Sequence, residues 1–166
     1  KKDLVARWTF DEDGGEVAKD SSGNGLDGTL SKVDDGSPKR APGLNGKALN
    51  CSGTRYGGVT VPYSPKMDLE KGPMTVELWM KTNPNVILKG YPTLLCRMDR
   101  DKSKDVFNLH LRRDLARLAF PLTDAKGKAA WFNTQDFPRE ANSIPPMTWT
   151  HMVGTWDGEK IRFYLN

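Results

Sequence analysis

The sequence contains little of several features that mark particular classes of protein. Its 166 residues include only two histidines and two cysteines. No apolar run approaches the length of a membrane span, and no long segment carries the apolar stripe of an amphipathic helix. Internal repeats and low-complexity tracts are also absent. These absences exclude membrane insertion through apolar helices and argue against a helical fold.

Motifs of catalysis are missing as well. Two glutamates and an aspartate spaced Glu-x-Asp-x-x-Glu place carboxylates on one face of a strand, at a glycosidic bond, but no glutamate here is followed two positions later by an aspartate. Neither His110 nor His151 lies in a nucleophile motif such as Gly-x-Ser-x-Gly. His151 alternates with Trp149 and Val153, which indicates a packed strand histidine. We therefore expect a non-catalytic protein, with a glycan-active enzyme as the less favoured alternative.

Cysteine and charge give two weaker indications. Cys51 and Cys96 both lie in strand-like segments, where a single buried disulfide and two buried thiols are both compatible with the pattern. The formal net charge of +4 makes the chain mildly basic, which suits an acidic glycan but is more often the sign of a solvated strand edge. The basic residues are not densely interleaved with aromatic ones, and we expect no nucleic-acid partner.

Short alternating segments, separated by 16 glycines and 11 prolines, predict many strands. The predicted strands cover residues 4–10, 47–51, 58–61, 75–80, 93–98, 106–112, 115–120, 129–133, 149–156 and 160–165. Hairpin turns are predicted at Arg113-Asp114 and at Asp157-Gly158. About ten strands in one domain must bury two sheet faces against each other. We therefore expect a single all-β domain over residues 1–166, an antiparallel β-sandwich of jelly-roll type.

Six segments in chain order resemble one family. They are residues 4–12, 20–25 with Gly28 after them, 42–49, 74–81, 149–158 and 163–166. In this order they resemble the bacterial laminin-G-like jelly roll, a concanavalin A-like fold. The resemblance implies two antiparallel sheets, carbohydrate or protein binding, and placement in large secreted or surface-anchored proteins.

The resemblance also bears on the ends and the setting of the domain. Members of the family continue past the strand that ends at Asn166, with a closing strand expected to pair with residues 4–10. We therefore expect a C-terminally incomplete domain that belongs to a larger multidomain protein. Its expected location is extracellular, periplasmic or at the cell surface.

A structural calcium ion is a further implication of the resemblance. Calcium takes six to eight oxygen ligands, which a tightly turning loop such as residues 20–24 supplies. The implied ligands are Asp20 and Asn24, with Glu12 and the carbonyl of Gly28 as weaker candidates. The same residues are also good turn formers without a metal. Such an ion would clamp the loop to the sheet and take no part in catalysis.

Carbohydrate binding on a β-sandwich uses aromatic rings against sugars and polar side chains against hydroxyls. The candidate rings are Trp79, Trp131, Tyr91 and Phe132. The candidate polar partners are Arg97, Asn108, His110 and Arg112, on strands that could neighbour that of Trp79. Trp8, Trp149 and Trp156 are expected in the core. The predicted function is recognition of a glycan or polysaccharide, an acidic one included; a protein partner and an architectural spacer are the alternatives.

Overall fold

Antiparallel strands make up most of the structure, a computed structural model that describes residues 3–31, 37–51, 57–69, 72–83, 92–99, 104–111, 118–123, 129–133 and 144–166. The strands are β1 (Val17–Ala18), β2 (Gly28–Leu30), β3 (Lys39–Pro42), β4 (Lys47–Asn50), β5 (Val59–Thr60), β6 (Met74–Met80), β7 (Thr93–Asp99), β8 (Lys104–Leu111), β9 (Leu118–Thr123), β10 (Ala129–Asn133), β11 (Thr150–Trp156) and β12 (Ile161–Leu165). Helical structure among these residues is confined to 3-10 turns, one of which spans Pro65–Met67. The chain divides into an N-terminal part, Lys1–Asp68, and a C-terminal part, Leu69–Asn166. The prediction of a single domain stays a prediction.

Two sheets form the C-terminal part. One has the strand order β10-β9-β8-β7 and the other the order β12-β11-β6. Alternate residues of β6 and β11 are buried, among them Met74, Val76 and Met152. They share one core with Phe107 and Leu109 of β8. Because two antiparallel sheets enclose this core, the predicted all-β sandwich is confirmed.

Two strand pairs predicted in the C-terminal part are present in the structure. β8 pairs with β9 as predicted, while the predicted turn at Arg113-Asp114 lies outside the described residues. β11 and β12 form the predicted hairpin, and the Asp157 carboxylate accepts hydrogen bonds from the backbone N–H groups of Glu159 and Lys160. These bonds close the turn locally.

The predicted core tryptophans and the cysteines differ in their burial. Trp156 is buried, whereas Trp8 and Trp149 are half-buried. Cys51 and Cys96 are exposed and form no disulfide with each other, so the expectation of buried sulfur atoms is wrong.

Short strands build the N-terminal part, in a sheet of order β1-β2-β5 and a pair β3-β4. Gly28 is buried at the start of β2, where an added Cβ would collide with Val59 of β5. The Arg40 guanidinium of β3 bonds the Glu12 carboxylate and the carbonyl of Val17 in β1. The N-terminal part is therefore held together by close packing against Gly28 and by hydrogen bonds of charged side chains. The C-terminal part has long apolar strands instead.

The prediction of a strand over residues 4–10 is wrong. This segment makes one isolated bridge, between Trp8 and Asp20, and Phe10 has a φ of 63°, which does not continue a strand. Its backbone is bonded by side chains: the Asn24 amide donates to the carbonyls of Leu4 and Val5. Backbone groups satisfied in this way need no neighbouring strand.

Asp20 is the centre of that arrangement. Its Oδ1 accepts from the backbone N–H groups of Arg7 (3.0 Å) and Ser22 (2.9 Å). Its Oδ2 accepts from the Ser22 hydroxyl (2.7 Å) and from the N–H of Leu26 (3.0 Å). Burial opposes the charged carboxylate, but these hydrogen bonds outweigh it and hold the pKa of Asp20 well below its usual range.

Met152→Ala tests the core of the C-terminal part. Met152 is fully buried in β11, and we expect the variant to lower the free energy of unfolding by about 2–5 kcal/mol. Met98→Ala is the matched control, because Met98 is 56% exposed on β7, and its effect should stay within about 0.5 kcal/mol. Urea unfolding followed by tryptophan fluorescence measures both. Equal losses for the two variants would contradict the described core.

Asp20→Asn tests the hydrogen-bonded turn. The variant keeps the shape but turns an NH₂ group toward backbone donors, and we expect it to lower the free energy of unfolding at pH 7 by about 1–3 kcal/mol. Because the folded pKa is lowered, the contribution of Asp20 is present above the ordinary pKa of 3.8 and is lost as pH falls below it. Thermal unfolding against pH should therefore show a smaller acid loss in the variant. Asp3→Asn, at an exposed aspartate, should behave like the parent chain.

Candidate functional site

The outward side of the three-stranded sheet carries a contiguous set of ring and polar side chains. We call it the outer face. It comprises Thr75, Glu77 and Trp79 of β6, His151, Val153 and Thr155 of β11, and Arg162 and Tyr164 of β12. These residues alternate with the ones that pack into the core. The outer face is therefore a direct result of the period of two along each strand.

The strand register arranges the side chains of the outer face in rows that run across the three strands. His151 lies opposite Trp79. In the next row Val153 lies between Glu77 on one side and Tyr164 on the other. Side chains in one row are close enough to contact each other, and those in adjoining rows are within reach of long side chains.

Trp79 and His151 stack on each other. Their ring centroids are 4.7 Å apart and their planes are inclined by 14°. The Trp79 side chain is nevertheless 49% exposed. His151 Nε2 also lies 3.5 Å from Glu77 Oε2. An indole ring, an imidazole and a carboxylate therefore form one contiguous cluster on the surface.

The place of His151 corrects a prediction. Alternation in β11 was expected to make it a packed strand histidine, but it lies on the outer face against Trp79. Its neighbours Thr150 and Met152 take the buried positions. The period was right and the choice of face was wrong: the set that includes Val153 faces outward, while Thr150 is buried despite its hydroxyl group.

Two cations at the margin of the outer face have partners. Arg162 pairs with the Asp157 carboxylate, and this bond raises the pKa of Arg162. The pKa of Asp157 is lowered by the backbone hydrogen bond from Lys160 and by Arg162. Lys81 lies over the Trp149 ring, with Nζ 5.1 Å from its centroid. Both positive groups are thus held by neighbours at the ends of the strands.

The predicted polar partners do not gather around Trp79. Arg97 lies on β7, and Asn108 and His110 lie on β8, which belong to the other sheet, whereas the strand paired with β6 is β11. All three side chains are half-buried. The expectation that their strands neighbour that of Trp79 is therefore wrong. Local alternation predicts each strand, but strand order depends on chain connections that alternation does not encode.

The remaining predicted glycan contacts lie on the four-stranded sheet or outside the described residues. Trp131 is in β10, at an edge of the four-stranded sheet, with its backbone opposite Pro121. Phe132 follows it in the same strand. Tyr91 and Arg112 lie outside the described residues.

Among the implied calcium ligands Asp20, Asn24, Glu12 and Gly28, the carboxylates of Asp20 and Glu12 are bonded to other groups. Both carboxylate oxygens of Asp20 accept two hydrogen bonds each, and Asn24 donates to backbone carbonyls. The Glu12 carboxylate accepts from Lys19 N–H and pairs with Arg40. Across the described ranges, no three His, Cys, Asp or Glu side chains form a group able to hold a metal ion. Calcium at this turn would replace hydrogen bonds to Asp20, and calcium binding stays a prediction.

None of the helical segments among the described residues has the length and apolar character needed to cross a bilayer.

Three solved structures resemble the fold. The binding domain of Paraclostridial Mosquitocidal Protein 1 is 18% identical, with a TM-score of 0.65 over 92% of this chain and 36% of that one. The binding domain of botulinum neurotoxin serotype G is 16% identical, with a TM-score of 0.61 over 89% of this chain and 34% of that one. The chain thus spans about a third of the length of these two structures.

The third similar structure is a shorter chain, of which this chain covers a larger share. It is domain 4 of AbnA, an extracellular arabinanase from Geobacillus stearothermophilus, in complex with arabinotriose. It is 22% identical, with a TM-score of 0.60 over 98% of this chain and 70% of that one. At these identities the three likenesses establish the fold.

Sequence comparison places the chain in a family. No curated protein matches the sequence. A laminin G family model described as the concanavalin A-like lectin/glucanases superfamily matches residues 52–166, which include both sheets of the C-terminal part. The resemblance inferred from the sequence is thereby confirmed, and the chain belongs to the concanavalin A-like lectin/glucanases superfamily.

Proposed function

We propose that this chain is a non-catalytic recognition module of an extracellular or cell-surface protein, and that it binds carbohydrate through the outer face. The observation that carries the proposal is the exposed Trp79 ring, stacked on His151 and placed beside the Glu77 carboxylate. An exposed indole offers a flat apolar surface to the C–H groups of a sugar ring. A neighbouring carboxylate accepts hydrogen bonds from the sugar hydroxyls.

The stack on His151 makes Trp79 a better platform. A freely rotating side chain loses rotamer entropy when a ligand immobilises it, at a cost of about 0.5–1.5 kcal/mol. Contact with the imidazole at 4.7 Å limits that freedom before binding. The ring is also carried by a strand paired along its whole length with β11, which keeps the platform in place.

The lack of a second carboxylate supports binding without hydrolysis. Most glycoside hydrolases use two carboxyl groups on either side of the scissile bond. The sequences of β6, β11 and β12 contain one acidic residue, Glu77. The outer face therefore has an acceptor for hydroxyl groups but no pair for acid–base chemistry.

The structural neighbours are consistent with this proposal. Two of them are titled binding domains, and the third was determined with a bound trisaccharide, arabinotriose. The fold thus serves in recognition in proteins similar to this chain.

Trp79→Ala tests the proposal. We expect it to weaken binding to the glycans that the parent chain recognises on a glycan array by about tenfold or more, because about 1.4 kcal/mol corresponds to a factor of ten and burial of an aromatic ring supplies at least that. Tyr63→Ala is the control, since Tyr63 is an aromatic residue with 66% exposure outside the outer face.

The array separates the alternatives. Equal binding by Trp79→Ala and the parent chain would place the site elsewhere. A blank array across neutral and acidic glycans would contradict carbohydrate binding and favour a protein partner or a spacer role.

Calcium is tested on the same protein. If calcium occupies the turn at Asp20, adding calcium after a chelator should raise the melting temperature, and Asp20→Asn should remove that increase. An unchanged melting temperature would leave the turn held by the hydrogen bonds described above. Differential scanning calorimetry with EDTA and with calcium decides between them.

A further inference from the structure

A second exposed ring on the outer face lies beyond the reach of a sugar stacked on Trp79. Tyr164 is 53% exposed on β12, and β11 separates it from β6. It lies two strands across the sheet and two residues along the strand from Trp79. With strands about 4.8 Å apart and a rise of about 3.4 Å per residue, the two Cα atoms lie roughly 12 Å apart. One sugar ring cannot cover both side chains.

The surface between the two rings is shaped for contact. Val153 lies between Glu77 and Tyr164 in the same row, and its side chain is short and half-buried. Val153 therefore offers a small apolar contact surface on the strand between those of the two rings. The Glu77 carboxylate, with 69% of its side chain exposed, lies beside Val153 and can accept hydrogen bonds from a ligand there.

The charge of the outer face disfavours an acidic ligand. Glu77 is its exposed carboxylate and lies 3.5 Å from His151 Nε2, and the Arg162 guanidinium at the margin is already paired with Asp157. Two like charges about 4 Å apart repel by roughly 1 kcal/mol in water and by more near a protein surface. Hydroxyl groups carry no such penalty and donate to the carboxylate.

We infer that the ligand is an extended, uncharged oligosaccharide that crosses the strands from Trp79 to Tyr164. This inference rests on the proposed function and adds the length and charge of the ligand. One sugar stacks on Trp79, another stacks on Tyr164, and the chain between them passes over Val153 beside Glu77.

Calorimetric titration with ligands of increasing length tests the inference. The probes are neutral arabino- and gluco-oligosaccharides, each as the monosaccharide, the trisaccharide and the pentasaccharide. We expect the parent chain to bind the longest member at least about tenfold more tightly than the monosaccharide. Tyr164→Ala should abolish this gain with length, Tyr164→Phe should retain it, and Trp79→Ala should weaken binding of every member. Circular dichroism and melting temperature verify that each variant is folded.

The outcomes distinguish this inference from the proposed function. If the monosaccharide binds as tightly as the pentasaccharide, or if Tyr164→Ala leaves the gain intact while Trp79→Ala abolishes binding, the inference of a ligand that extends to Tyr164 is wrong and carbohydrate binding stands. If no probe binds, or if Trp79→Ala binds like the parent chain, the proposed function itself is contradicted.

A charged series tests the second half of the inference. Galacturonic acid oligomers should bind at least about tenfold more weakly than neutral oligomers of equal length. Glu77→Gln should raise their affinity, because the amide removes the repulsion and keeps an acceptor oxygen. Tighter binding of the acidic series by the parent chain, or no gain in Glu77→Gln, would overturn the inference of an uncharged ligand.

Discussion

Burial of one side of β6 and β11 against the four-stranded sheet determines what the opposite side presents. Successive side chains of a strand point to opposite faces, so Val76 and Met152 cannot enter the core without turning Glu77 and His151 outward. A shift of register by one residue would bury Trp79 and expose the core set. The apolar core and the candidate binding face are therefore consequences of the same alternation.

The stack between Trp79 and His151 links stability and recognition. Antiparallel pairing brings the two residues directly opposite each other, and cross-strand ring pairs stabilise a sheet by up to about 1 kcal/mol. The imidazole covers part of the indole and leaves almost half of the Trp79 side chain in contact with solvent. A contact that strengthens the sheet thus also orients the surface that would receive a ligand.

The sequence predicts those parts of the fold whose signal is local. β6, β11 and β12 each hold a complete period of two, and the β11–β12 hairpin has its turn residues at Asp157-Gly158. Residues 4–10 show the same period, yet the side chains of Asp20 and Asn24 satisfy their backbone in place of a partner strand. The candidate site was only partly predictable. Trp79 was identified, but its partners depend on strand order, which brings in β11 and excludes β7 and β8.

A site built on paired strands is rigid, and this favours tight binding of a ligand. Main-chain pairing on both sides of β11 holds the outer face in one shape, so little freedom is lost when a ligand is bound. Hydrolysis would need a second carboxyl group several ångströms from Glu77, across the bound sugar. The outward side chains around Glu77 include Thr75, Val153 and His151, whose Nε2 lies 3.5 Å from Glu77 Oε2, and none of them is a carboxyl group. The single carboxylate is consistent with the proposed role in recognition.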